Sequence, residues 1–200
     1  MLDYKVSRIS YESTKPYILG IHYAKRMPSI SFSFGLFEKE QLVGIVTYGF
    51  PPSPSLCKGI CGVEYKSKVL ELNRLCLKNN KKNEASFLVG KSLKLLRKPS
   101  IIVSYADTDQ NHVGYIYQAT NFIYTGLSDK RTEWKMTGND LHSKTVCLKY
   151  SLQHRKENPE LFYVADRPRK HRYIYMIGNK KETKNLLENL KYSIKPYPKN

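Results

Sequence analysis

Two strand-like apolar runs separated by one helix-length segment constrain this chain more than any other feature. The first run is Val69-Leu70-Glu71-Leu72-Asn73-Arg74-Leu75-Cys76-Leu77 and the second is Ile101-Ile102-Val103-Ser104-Tyr105-Ala106. Between them, Glu84 to Arg97 carries Phe87, Leu88, Leu93, Leu95 and Leu96 at helical spacing, and Pro99 stops that pattern. A helix between two strands returns the chain to the end it started from. The two strands are therefore expected to run parallel, with the second buried.

The flanking segments extend this unit into a sheet. Tyr4 to Ile9 reads as a short strand, and Ser13-Thr14-Lys15-Pro16 as the start of a helix ending near His22-Tyr23. In Ser31 to Phe37, Phe32, Phe34 and Leu36 alternate with small residues. Leu42 to Tyr48 follows a polar turn, so these segments form a hairpin. Pro51, Pro52, Pro54, Gly59 and Gly62 make Phe50 to Gly62 a long loop. Beyond Ala106 come a loop to Asn111, a short helix over His112 to Thr120, and closing strands at Phe122 to Gly126 and Glu133 to Met136. The expected class is α/β, with a mixed central sheet flanked by helices.

Charge narrows the partner. Lys and Arg number 34 against 17 acids, a net charge of +17, while 40% of the residues are hydrophobic, enough to build a core. Such an excess points to a polyanion, whose counterions are released on binding. From His154 onward the chain has twelve Lys or Arg and five acids, a net of +7, yet Leu161 to Val164 and Tyr173 to Ile177 are strand-like. Residues 1–138 are therefore expected to form the main domain, and 139–200 a basic extension packed on it. No apolar run approaches the ~18 residues of a membrane span, and Met1 to Ser10 lacks a signal-peptide core, so a cytoplasmic protein is expected. The spacings of Cys57, Cys61, Cys76 and Cys147 fit no zinc pattern and read as reduced thiols, with Cys76 and Cys147 in apolar strand-like runs.

Three blocks carry chemistry. Asp107-x3-Asn111-x5-Tyr117-x3-Asn121-Phe122-x3-Gly126 ends a strand, opens a helix and begins another strand. It resembles the last block of the GNAT acyltransferases, with Asn121 where that family has Gly. In them a Tyr at this place protonates the leaving thiolate, a task suited to a phenol of pKa near 10. The alternative is that Tyr117 is one of sixteen tyrosines, half-buried on an amphipathic helix. In Glu71-Leu72-Asn73-Arg74-Leu75, an Arg between leucines either lines a site or makes a salt bridge with Glu71 or Glu64. In GNAT folds the loop after this strand and the next helix start cradle the pyrophosphate of an acyl carrier. Here Lys78 to Ser86 lacks the glycines of that turn but is positive. The third block is His22-Tyr23-x2-Arg26-x-Pro28, a proton-transfer or metal-binding His beside a Tyr and a basic loop.

Together these blocks resemble the phage Mom family of DNA-modification proteins. The resemblance rests on His22-Tyr23-Ala24, Gly44-x2-Thr47-Tyr48-Gly49, Glu71-Leu72-Asn73-Arg74-Leu75, Ser92, Ser104-Tyr105-Ala106-Asp107 and Tyr117-Gln118-Ala119-Thr120-Asn121. It implies a GNAT-like fold and conversion of adenine in duplex DNA to an N6-carbamoylmethyl-type base that evades host restriction. It also implies iron dependence, with an acyl-CoA-type donor as one option. The implied catalytic residues are His22, Tyr23, Arg74, Asp107 and Tyr117. Asn83, Ser86 and Ser92 are candidates for cofactor binding, and His22, Tyr23 and Asp107 for iron, with His112 as a second His. Tyr23, Tyr48, Tyr105 and Tyr117 are candidates to stack on an extruded base, and Lys25, Arg26, Arg169, Lys170 and Arg172 to hold DNA phosphates. The competing readings are a GNAT N-acetyltransferase acting on a protein or small amine, and a DNA-binding protein without activity.

Overall fold

The computed structural model describes residues 4–139, 141 and 143–199. In chain order its elements are β1 (Tyr4–Arg8), α1 (Tyr11–Lys15, continued by a π-helical turn Pro16–Ile21), β2 (Phe32–Glu38), β3 (Gln41–Gly49), α2 (Pro54–Cys61), β4 (Val69–Leu77), α3 (Glu84–Leu95), β5 (Ser100–Asp107), α4 (Tyr115–Ala119), β6 (Ile123–Leu127), β7 (Arg131–Met136), α5 (Ser143–Lys149), α6 (Leu152–Glu157), β8 (Phe162–Arg167), β9 (Lys170–Ile177) and α7 (Lys180–Glu188). Strands β1-β2-β3-β4-β5-β9-β6 form a seven-stranded sheet, and β7 pairs with β8 alone. As the strand–helix–strand pattern requires, β4 and β5 run parallel; the other named pairs are antiparallel.

The sheet is covered on both faces. Leu70, Leu72 and Ile102 pack with Leu88, Val89 and Leu93 of α3, and Ile116 and Tyr117 of α4 join them. Val69, Ile101, Val103 and Ile174 face the other way, against Cys57, Ile60 and Cys61 of α2 and Leu186 of α7. Tyr17 and Ile18 of α1 meet Ile45 and Cys76 on that second face. A change of register between β3 and β4 pairs Thr47 with Arg74 but Tyr48 with Leu72, leaving Asn73 as an extra residue. A bulge shifts the alternation of side chains by one. Glu71 and Arg74, three apart, consequently share a face that a regular strand would deny them. The same point ends the pairing of β4 with β5, at Leu72 and Ser104, and beyond it the two strands splay. The bulge is held by Thr47 donating to Asn73 Oδ1 (2.6 Å) and Asn73 Nδ2 donating to Ser29 O (2.8 Å). Gly49 admits this close approach, because a Cβ there would lie 1.9 Å from Ser29 O.

Several expectations give way to the observed fold for physical reasons. The first helix begins at Tyr11, capped by Ser10 Oγ accepting from Ser13 N, so Ser13 and Thr14 lie inside it. The proline-rich stretch is no continuous loop: Ser53 caps α2, Pro54 takes its first turn, and Cys57, Ile60 and Cys61 bury one face at helical spacing. β7 closes no edge of the main sheet, and Cys147 is exposed on α5 rather than in a strand. The stretch from 139 to 200 is not merely laid on a domain ending at 138. Its strand β9 sits between β5 and β6, because Tyr173, Ile174 and Ile177 are buried and need neighbours on both sides. No helix of the described residues is long and apolar enough to cross a membrane.

Candidate active site

The splay of β4 from β5 opens a cleft of about 1160 Å³, lined among others by His22, Tyr23, Glu71, Arg74, Asp107 and Tyr117. Five side chains named from the sequence thus converge from four parts of the chain. Tyr117 arrives from the α3–α4 face. Asp107 alternates with Ala106 of that core and so points to the other face. Both reach one space because the gap between the strands opens through the sheet. Local structure fixes Tyr117: Gly114 starts α4 at φ 84°, and a Cβ there would lie 2.5 Å from the Tyr173 ring. Tyr117 then packs against the rings of Phe122 (5.4 Å) and Tyr173 (5.2 Å).

The electrostatics differ from residue to residue. Burial pushes the Tyr117 phenol up to about 12, with the Ser104 hydroxyl opposing the rise, so it stays protonated as a donor. His22 is pushed down to about 4 by burial first, then by the Arg74 and His112 charges. Its Nδ1 accepts from Ala24 N (3.1 Å) and its ring stacks on Tyr23 (4.5 Å). The neutral imidazole therefore carries its proton on Nε2. Arg74 makes no ion pair among the described residues. It donates to Asn73 O (2.6 Å) and Arg26 O (3.0 Å), while its buried Nε has no acceptor. Asp107 accepts from Lys170 Nζ (2.6 Å) and Asp109 N (3.2 Å). Glu71, which the sequence offered only as an ion-pair partner of Arg74, makes no hydrogen bond or ion pair among the described residues. Burial raises its pKa, and Arg74 and Lys170 oppose that rise. The signal available for it was an acid between Leu70 and Leu72 in an apolar strand.

Other named residues are placed elsewhere. Ser92 is fully buried on the sheet side of α3, bonded to Tyr48 Oη (2.7 Å) and Val89 O (2.9 Å), and lines no cleft. The same burial removes Tyr48 from any stacking role, whereas Tyr23 and Tyr105 line the cleft. Asn83 and Ser86 border a separate depression with Gly90, Thr120, Asn121 and Tyr175. Beside them the start of α3 holds an anion of its own: the buried Glu84 carboxylate accepts from Lys81 N and Tyr4 Oη, both at 2.8 Å. A pyrophosphate is not cradled there.

Of the named phosphate contacts, Lys25 and Arg26 are exposed. Arg169 donates to Ser128 O (2.5 Å), and Lys170 is paired to Asp107. Arg172 is buried, donating to Thr125 (2.9 Å) and lying 3.4 Å over the Tyr192 ring. These three tail cations hold the fold together. The iron set does not fit either. His22 Nδ1 is occupied and Nε2 protonated, Asp107 is neutralised by Lys170, and no group of three or more His, Cys, Asp or Glu among the described residues is arranged to hold a metal. His112 does line the cleft, with its ring 6.5 Å from Tyr23.

The fold is similar to that of a protein from Acinetobacter baylyi ADP1 described as an acetyltransferase, at 10% identity over 88% of this chain and 93% of that one, with a TM-score of 0.50. A GNAT-family acetyltransferase from Bacillus cereus ATCC 10987 is 11% identical over 86% of this chain and 96% of that one, with a TM-score of 0.44. In sequence, the chain is 28% identical over 207 residues to the methylcarbamoylase Mom of Escherichia phage Mu, covering 98% of this chain and 84% of that protein. A model of the Mom protein family matches residues 3–199. With a GNAT-like mixed sheet under that whole-length match, the chain belongs to the Mom protein family.

Proposed function

We propose that this chain adds a carbamoylmethyl-type group to the N6 amine of adenine in duplex DNA, shielding phage DNA from restriction inside the host cell. The observation that carries the reading is one cleft in which a protonated phenol (Tyr117), a carboxylate with no partner among the described residues (Glu71) and a guanidinium free of any ion pair among them (Arg74) meet. The relationship to a methylcarbamoylase along nearly the whole chain gives that chemistry its class.

Adenine N6 is a poor nucleophile, since its lone pair is delocalised into the ring, and it lies inside the duplex. Extruding the base costs a few kcal/mol, which stacking on Tyr23 and Tyr105 offsets at about 1–3 kcal/mol per base. The N6 lone pair forms the new N–C bond while Glu71 accepts an N6 proton. Tyr117 protonates the group that leaves the donor, and the Arg74 guanidinium stabilises the developing negative charge. Asp107, held by Lys170, shapes the wall of the cleft. Mass spectrometry of nucleosides from DNA of cells expressing the protein tests the proposal. A new adenine derivative is the expected product. An acetylated protein or small amine with unaltered nucleosides assigns the chain to the N-acetyltransferases. DNA binding with no covalent change leaves a binding protein.

A further inference from the structure

One side of the cleft mouth takes no part in the chemistry just described. The chain leaves β6, passes Asp129 and Lys130, runs out along β7, and returns along β8 and Pro168 into β9. The β7–β8 ribbon thus prolongs the β6–β9 pairing beyond the main sheet. Asp129, Arg131, Arg167 and Pro168, at its base, line the cleft. In the ribbon's register Arg131 stands directly opposite Arg167. Like charges directly opposed across a ribbon are destabilising, so packing gives no reason for the pair.

Neither arginine is spent on the fold. Both are exposed. Arg131 makes no hydrogen bond or ion pair among the described residues. Arg167 has one loose partner, Glu133 at 3.8 Å, whose other oxygen is 3.0 Å from Lys135 Nζ. Arg131 also reaches the cleft wall: the Tyr105 phenol, pushed up by burial, feels the Arg172 and Arg131 charges against that rise. The ribbon pair contrasts with Arg169, Lys170 and Arg172, whose donors are committed inward.

We propose that Arg131 and Arg167 form a clamp for a backbone phosphate of duplex DNA, seating the duplex across the cleft beside the nucleotide to be modified. Guanidinium forks bind phosphate oxygens bidentately, and two forks facing each other across a ribbon present donors to one anion from both sides. A two-stranded ribbon also has the width to lie along a DNA groove. The inference rests on the reading of duplex DNA as substrate.

The test measures duplex affinity by fluorescence anisotropy between about 50 and 200 mM salt, where each lost phosphate contact makes the log–log slope shallower by about 0.9. R131Q/R167Q is expected to flatten the slope by about 0.9, the one phosphate contact the pair holds, without lowering the thermal midpoint. K180Q/K181Q removes the same charge from α7, outside the cleft lining, and is expected to leave the slope unchanged. An unchanged slope in R131Q/R167Q, or equal flattening in K180Q/K181Q, overturns the clamp while the adenine reading stands. A wild-type protein that neither binds duplex DNA with salt dependence nor alters adenine overturns both.

Discussion

Two glutamates of the same strand–helix unit have opposite fates. Glu84, at the start of α3, is fully buried, and both its oxygens are satisfied, one by Tyr4 Oη and one by Lys81 N. Glu71, on β4, is half-buried and has no donor among the described residues. Burial alone does not mark a functional acid. What distinguishes them is whether the carboxyl oxygens find donors. Glu84 is tied into the fold through both oxygens, and it fills the turn where a phosphate would otherwise sit. The bulge at Asn73 sets Glu71 beside Arg74 on one face, yet the two make no ion pair among the described residues.

The strongest way to break this contrast is to remove the reactive side of it. Tyr117→Phe keeps the ring contacts with Phe122 and Tyr173 and deletes only the proton donor. Modified adenine is expected to fall about 10²–10⁴-fold with the thermal midpoint little changed. Glu71→Gln is expected to cost a similar factor, and it also tests the sign of the shift. Because the folded pKa of Glu71 is raised, the folded state holds its proton to higher pH, so stability falls as pH rises out of the ordinary carboxylate range. Glu71→Gln should remove that slope in urea melts. It should also abolish an acid limb of activity lying above the usual Glu range. Full activity in either variant would remove that residue from the mechanism.

The fold was legible where the pattern was long and periodic. The β4–α3–β5 unit and the β2–β3 hairpin follow directly from apolar spacing. Helix α2 was obscured because its prolines and glycine outweighed a sound Ser-Pro start. The place of β9 depended on pairings more than sixty residues apart, such as Asp107 with Lys170, which local pattern does not carry. Within the site, His22, Tyr23, Arg74, Asp107 and Tyr117 were legible as motif residues. Their roles were not, because those depend on neighbours. Lys170 neutralises Asp107, and Ser92 turned inward because it sits on the buried stripe of α3. Arg131 and Arg167 were invisible singly, since only the ribbon's register makes them a pair.

A second experiment sharpens the contrast from the structural side. Glu84→Gln places an amide where two donors converge, so at least one of Tyr4 Oη and Lys81 N loses its acceptor. Leaving such a buried group unsatisfied costs roughly 1–3 kcal/mol. Chemical denaturation should read that loss, while modification assayed on the folded protein stays near the wild-type level because Glu84 lies outside the cleft. A stability loss below a few tenths of a kcal/mol would show that the turn does not depend on this carboxylate.

The smallest effect expected is a displaced titration at His22. Its folded pKa near 4 lies below the ordinary 6.5, so the unfolded chain takes up a proton first as pH falls. The contribution of the neutral imidazole to stability is present above about pH 6.5 and is lost progressively toward pH 4. Two-dimensional NMR of the imidazole nitrogens should find the Nε2–H tautomer at neutral pH, because Nδ1 accepts from Ala24 N. Arg74→Gln should move the titration part of the way back toward 6.5. Burial is the larger cause and persists in that variant, whereas the Arg74 charge does not. A wild-type midpoint at 6 or above, or a proton found on Nδ1, would restore His22 as a base or metal ligand and would reopen the iron site that its present geometry denies.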